Sequence, residues 1–174
     1  MAVDCTATYN LTLRDLSIVS QGRTNPATIG VLFARAAPPG RAYCNQGTLH
    51  NVFMDMAASP SANNGLGSIG IYNIAAEIHQ YTNVQVYADT PVVIASTNIA
   101  GASSSFQTLN TTTTSTSSIG ISGASTHLRS RSGGAFSCLY LSGAVTVTMD
   151  GGYLSASTKM NNAIYINGSH NINI

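Results

Sequence analysis

Five times in this chain an apolar–polar–apolar run halts at a residue that tolerates positive φ, and a second such run begins at once. The halting residues are Asp15, Asn51, Asn83, Gly123 and Gly151, preceded by Leu11–Arg14, Gly47–His50, His79–Thr82, Ile119–Ser122 and Val147–Asp150. Asp, Asn and Gly enter the left-handed region cheaply, so these positions read as bends between short strands. The markers are separated by 36, 32, 40 and 28 residues. Uneven periods of this size suit a solenoid whose laps carry loops of different length.

Aligning the markers predicts which side chains face inward. Two residues before them lie Leu13, Leu49, Tyr81, Ile121 and Met149; one after lie Leu16, Val52, Val84, Ala124 and Gly152; three after lie Ile18, Met54, Val86, Thr126 and Leu154. These are nearly all apolar or small, as a period-two strand with one buried face requires. A third strand per lap is predicted at Ile29–Phe33, Ile69–Asn73, Pro91–Ala95, Cys138–Ser142 and Ala163–Asn167. The last two match at a spacing of 25, pairing Leu139 with Ile164, Tyr140 with Tyr165, Leu141 with Ile166 and Gly143 with Gly168. The same period puts the next marker near position 176, so the chain is expected to stop inside a lap, as a fragment of a longer protein. Stacked laps would bring each inward aliphatic against its copies about 4.8 Å away and let aligned Asn side chains bond along the stack.

Composition agrees. Only 7% of residues are charged against 44% apolar, whereas soluble helices draw heavily on Glu, Lys and Arg. The expectation is all-β: one domain over 1–174, a solenoid of about five to six rungs, with a long Ser/Thr-rich loop at 97–118. Net charge is +1 and the cations are scattered, Arg14, Arg23, Arg35, Arg41, Arg129, Arg131 and Lys159, which argues against a nucleic-acid partner. No apolar run is long enough for membrane insertion. Cys5, Cys44 and Cys138 form no metal spacing; their odd number leaves one bridge and a free thiol, or three reduced thiols. His50, His79, His127 and His170 likewise show no metal-ligand spacing. No metal site is assigned.

The strand–Asx–strand pattern, with Tyr140-Leu-Ser-Gly-Ala-Val-Thr-Val-Thr-Met-Asp-Gly-Gly152 and Ala163-Ile-Tyr-Ile-Asn-Gly-Ser169, resembles the right-handed parallel β-helix proteins. That family includes pectate lyases, related polysaccharide lyases and hydrolases, and phage tailspikes that bind and often cleave surface glycans. The resemblance runs from about residue 9 onward. It implies a right-handed parallel β-helix located on a virion or outside the cell, a polysaccharide or surface-glycan partner, and a homotrimer or larger assembly. Pectate lyases use a calcium-binding acidic cluster and an arginine base; no such cluster with a neighbouring Arg is legible here.

Function would then sit on outward positions. Two residues after the markers the outward set is Ser17, Phe53, Gln85, Ser125 and Tyr153; four after, it is Val19, Asp55, Tyr87, His127 and Ser155. Flat rings beside hydrogen-bonding groups are what carbohydrate recognition needs, and Phe53, Gln85, Tyr87, His127 and Tyr153 are the candidate binding residues. The alternative is an ordinary solvated strand face. Among the six acidic residues Asp15 and Asp150 read as turn formers. Of the other four, Asp55, Glu77 and Asp89 stand as catalytic candidates for a polysaccharide lyase or glycoside hydrolase. Asp55 and Asp89 end equivalent strands on neighbouring laps, within reach of paired-carboxylate chemistry. The three would alternatively hold calcium given further oxygen ligands, or be isolated surface carboxylates. No other cofactor is implied. A glycan-binding fibre module is the first expectation, an enzyme the second, a purely structural solenoid the third.

Overall fold

The computed structural model describes residues 1–21, 26–34, 44–97, 99–100, 117–143, 145–169 and 171–174. Most of the 97–118 tract, with Arg23, Arg35, Arg41 and His170, lies outside the described residues. The strands are β1 (Val3–Asp4), β2 (Thr12–Val19), β3 (Ile29–Ala34), β4 (Thr48–Asp55) and β5 (Ile69–Ile74). After them come β6 (His79–Thr82), β7 (Gln85–Ala88), β8 (Thr90–Ala95), β9 (Ser117–Ser122) and β10 (His127–Ser130). The last five are β11 (Leu139–Ser142), β12 (Val145–Asp150), β13 (Tyr153–Ala156), β14 (Ile164–Asn167) and β15 (Ile172–Asn173). The only helical turn among the described residues is a 3₁₀ turn at Asn63–Gly65.

The protein is all-β, and every pairing between these strands is parallel. One sheet runs β1-β3-β5-β8-β11-β14, and a second holds the remaining nine strands. No two strands consecutive in sequence pair with each other, which is consistent with a β-solenoid. Parallel sheets need this kind of long crossover, since a tight hairpin can join only antiparallel neighbours.

The registers form apolar columns. Leu13, Leu49, Tyr81, Ile121 and Met149 stack in one. Val3, Val31, Ile71, Val92, Leu139 and Ile164 stack in another. Together with Val52, Met54, Met56, Val84 and Val86, these side chains make one continuous core. Each fully buried aliphatic contributes roughly 1.5–3 kcal/mol relative to exposure. Burial falls off at the last strand of the first sheet: Leu141 is fully buried, but its partner Ile166 is 50% exposed.

One expected column is displaced. Counting from the marker predicts Thr126 beside Val86, but Val86 pairs with Leu128, and Leu128 with Leu154. Two extra residues at the corner cause the shift. The Thr126 N–H donates to the Gly123 carbonyl at 2.9 Å, closing a turn that leaves Ala124 and Ser125 exposed. Ala124 and Gly152, expected inward, both lie on the surface.

A second apolar cluster lies on the other face of the first sheet: Leu32, Tyr72, Ile74, Val93 and Ala95, with Leu66, Ile99 and Ala100 against them. All six residues of β3, β5 and β8 are accordingly buried. Sheets covered on both faces are built from continuous apolar runs. The Tyr72 hydroxyl accepts the N–H groups of Ile99 (2.8 Å) and Ala100 (3.0 Å), tying this cover down. The three cysteines are free and buried. No helix among the described residues is long and apolar enough to cross a membrane.

Candidate functional site

The five marker residues take φ of 53° (Asp15), 52° (Asn51), 52° (Asn83), 101° (Gly123) and 79° (Gly151). The first three link along the stack: Asn51 Nδ2 donates to Asp15 Oδ1 at 3.0 Å and Asn83 Nδ2 to Asn51 Oδ1 at 3.4 Å. Hydrogen bonds from Arg14 and then Asn51 hold the exposed Asp15 carboxyl below its usual range. The ladder ends at Gly123, where a Cβ would stand 2.2 Å from Asn83 Oδ1. Glycine is required there twice over, for its φ and for the room it leaves.

Beyond the markers the chain runs outward and inward by turns along β4, β7, β10 and β13. Register places Ser17, Phe53, Gln85, His127 and Tyr153 in one outward row. The neighbouring row holds Val19, Asp55, Tyr87, Arg129 and Ser155. The two-residue corner therefore moves His127 into the Phe53 row, replacing the expected Ser125, and brings Arg129 in beside Tyr87. Nothing short of the structure would have shown this, because the shift comes from a local turn between two strands of unchanged pattern.

All five candidate binding residues share this face, and the four rings among them form a chain. Phe53 meets Tyr87 edge-on at 5.5 Å, and Tyr87 meets His127 edge-on at 5.3 Å. His127 then stacks on Tyr153 at 3.9 Å with 25° between planes. Such offset and edge contacts are the favourable arrangements for aromatic pairs. Tyr153 is 55% exposed, so a large ring face is open to solvent. The Arg129 guanidinium carbon lies 6.0 Å from the Tyr87 ring centre. Burial, and then the Arg129 charge, hold His127 below the ordinary imidazole range. An open groove of ≈ 260 Å³ adjoins the row, lined by Asn51, Val52, Phe53, Asn83, Gln85 and Ser125.

The acidic candidates stand apart from this strip in character. Asp89 follows β7 and is fully buried. Its Oδ2 accepts from Ser59 N (2.7 Å), Ser68 N (2.9 Å) and Ser68 Oγ (3.2 Å), and Oδ1 accepts from Ser132 Oγ. The carboxylate thus pins three separate loop segments. Asp55, at the end of β4, is half-buried and forms an ion pair with Arg131; Gln21 Nε2 also donates to its Oδ1, at 2.8 Å. Asp55 and Asp89 share the corner that leads into the first sheet. Glu77 lies at the next corner, between β5 and β6, where its backbone pairs with Asn45. Among the described residues no group of three or more His, Cys, Asp or Glu could hold a metal ion.

No local sign of this role for Asp89 stands in the sequence, because its partners Ser59, Ser68 and Ser132 lie 30, 21 and 43 residues away. Two further groups escaped the sequence reading. Asn73 replaces an aliphatic in an inward column and donates to the Tyr81 hydroxyl at 3.0 Å. His79, fully buried, meets Phe33 edge-on at 4.6 Å, and burial lowers its pKa to about 4. Compared with protein-family models, curated proteins and solved structures, the chain finds no match in any of the three.

Proposed function

We propose that the chain is a right-handed parallel β-helix of the tailspike and pectate-lyase type, whose outward aromatic strip binds polysaccharide. The handedness follows from a general rule, since crossovers between parallel strands are right-handed in nearly all cases. The observation that carries the functional reading is the ring chain Phe53–Tyr87–His127–Tyr153 on one sheet face. It spans four successive laps, with Gln85 and the groove beside it. Strands repeat about every 4.8 Å, so four laps cover about 15 Å, the length of roughly three sugar residues. Ring faces match the C–H faces of sugars, and the amide of Gln85 and imidazole of His127 match their hydroxyls. In this reading the module belongs to an extracellular or virion surface fibre, assembled as a homotrimer or larger complex.

Asp55, Glu77 and Asp89 lend the lyase or hydrolase alternative little support, since one is buried and saturated, one ion-paired and one at another corner. A glycan array, run beside a depolymerisation assay on any polymer bound, tests both readings. Binding that falls at least about tenfold in Tyr153→Ala and Phe53→Ala, without shortening of the polymer, is the expected result. Retained binding in both variants removes the strip from the proposal. Polymer shortening favours the enzyme instead, and binding to no glycan at all favours a structural shaft.

A further inference from the structure

Besides its ring contacts, His127 of the strip faces a serine hydroxyl within hydrogen-bond distance. His127 Nε2 lies 2.6 Å from Ser155 Oγ, across from β10 to β13 on the solvent face of the sheet. We propose that Ser155 and His127 form a nucleophile–base dyad that removes ester-linked acyl groups from the bound glycan. The inference rests on the polysaccharide reading for its substrate, but the dyad stands on its own geometry.

A serine hydroxyl is a weak nucleophile until an adjacent base takes its proton, and the pair must lie within about 2.6–3.2 Å. This pair does. In the tautomer that lets Ser155 donate to Nε2, the ring proton is on Nδ1, which faces the Tyr87 hydroxyl at 3.5 Å. The ring is also fixed in plane by its stack on Tyr153. Burial, and then the Arg129 charge, lower the imidazole's pKa, which favours the neutral form a base requires. Arg129 is the register partner of Ser155, is exposed, and has no acidic partner among the described residues. Its long guanidinium arm can supply charge where the carbonyl oxygen becomes negative.

The chemistry balances with water as the only co-reactant. Ser155 Oγ attacks the ester carbonyl carbon while its proton passes to His127 Nε2. The tetrahedral intermediate collapses, the acyl carbon–oxygen bond to the sugar breaks, and Nε2 returns the proton to the sugar oxygen. Water, deprotonated by the same nitrogen, then attacks the acyl-serine, releasing a carboxylic acid and restoring Ser155. An ester is the favoured substrate, because its alkoxide leaving group asks less of a two-residue site than an amine.

The test uses the full chain with two probes, a biotinylated fluorophosphonate and p-nitrophenyl acetate. The fluorophosphonate should form a one-to-one adduct mapped by peptide mass spectrometry to Ser155, with loss of fluoride. Ser155→Ala should abolish the adduct and the protein-dependent release of nitrophenolate, and His127→Gln should slow both by about 100-fold or more. No adduct on the wild-type protein, an adduct only at another residue, or nitrophenolate release unchanged in Ser155→Ala overturns the proposal. The wild-type labelling does not depend on any variant folding. A protein that binds glycans on the array but is never labelled loses the dyad and keeps the binding strip; labelling without glycan binding does the reverse.

Discussion

Replacing Asp89 by alanine should be among the most damaging single changes to this protein. The carboxylate is fully buried and accepts from two backbone N–H groups, at 2.7 and 2.9 Å, on the separate segments around Ser59 and Ser68. Alanine strands both donors, and each buried unsatisfied group costs about 1–3 kcal/mol. Ser68 Oγ is partly spared, because it also accepts from the Asp89 N–H at 3.0 Å. The expected loss is therefore about 4 kcal/mol, equivalent to about 8–16 °C in Tm for a chain of this size. Asp89→Asn should cost only about 1–2 kcal/mol, because one oxygen still serves both N–H groups and the Ser132 hydroxyl can turn to accept from the new amide. Urea unfolding followed by circular dichroism measures both. A loss under about 1 kcal/mol in the alanine variant would refute the staple argument. So would an Asn variant that folds normally yet abolishes a glycan-cleaving activity, since that result assigns Asp89 to chemistry.

Two other perturbations probe the core and the markers. Asn83→Val should destabilise by about 1–3 kcal/mol, because a β-branched residue is strained at positive φ and the bond to Asn51 is lost; an unchanged urea midpoint would contradict the ladder. His79, held at about 4 rather than the ordinary 6.5, refuses a proton that the unfolded chain accepts. Its contribution is complete above 6.5 and is withdrawn as pH falls toward 4, at about 1.4 kcal/mol per unit and about 3 kcal/mol in all. Urea midpoints between pH 7 and 4 should fall more steeply for the wild type than for His79→Gln, and parallel curves would count against the burial argument.

The fold was legible where turn chemistry and side-chain period coincide. Leu13, Leu49, Tyr81, Ile121 and Met149 were predictable neighbours because each sits a fixed two residues before a residue that tolerates positive φ. Leu139 and Ile164 were predictable because two short strands repeat at one spacing. The cover over Tyr72 and Val93 was harder to foresee. Its trace is the lack of alternation in Thr90–Ala95, where every residue is buried and no polar face remains. At the candidate site the ring residues share one face, but both rows were misassigned at β10, because a marker fixes where a strand ends and says nothing of how many residues the next corner holds. Asp89 shows a different limit: rarity of acidic residues drew attention to it, but a count of carboxylates carries no information on which are solvated.

The corner at Ala124 and Ser125 works as an expansion joint. The strands before and after it keep their neighbours' alignment, with Ile121 beside Met149 on one side and Leu128 beside Leu154 on the other. The added length is taken up entirely by exposed backbone, and Ser125 ends up as part of the groove wall. A molecule built this way can raise or lower that wall, and so change what fits against it, without retuning a single interior contact. Peptides grafted at this point should alter ligand choice while leaving the melting temperature nearly where it was.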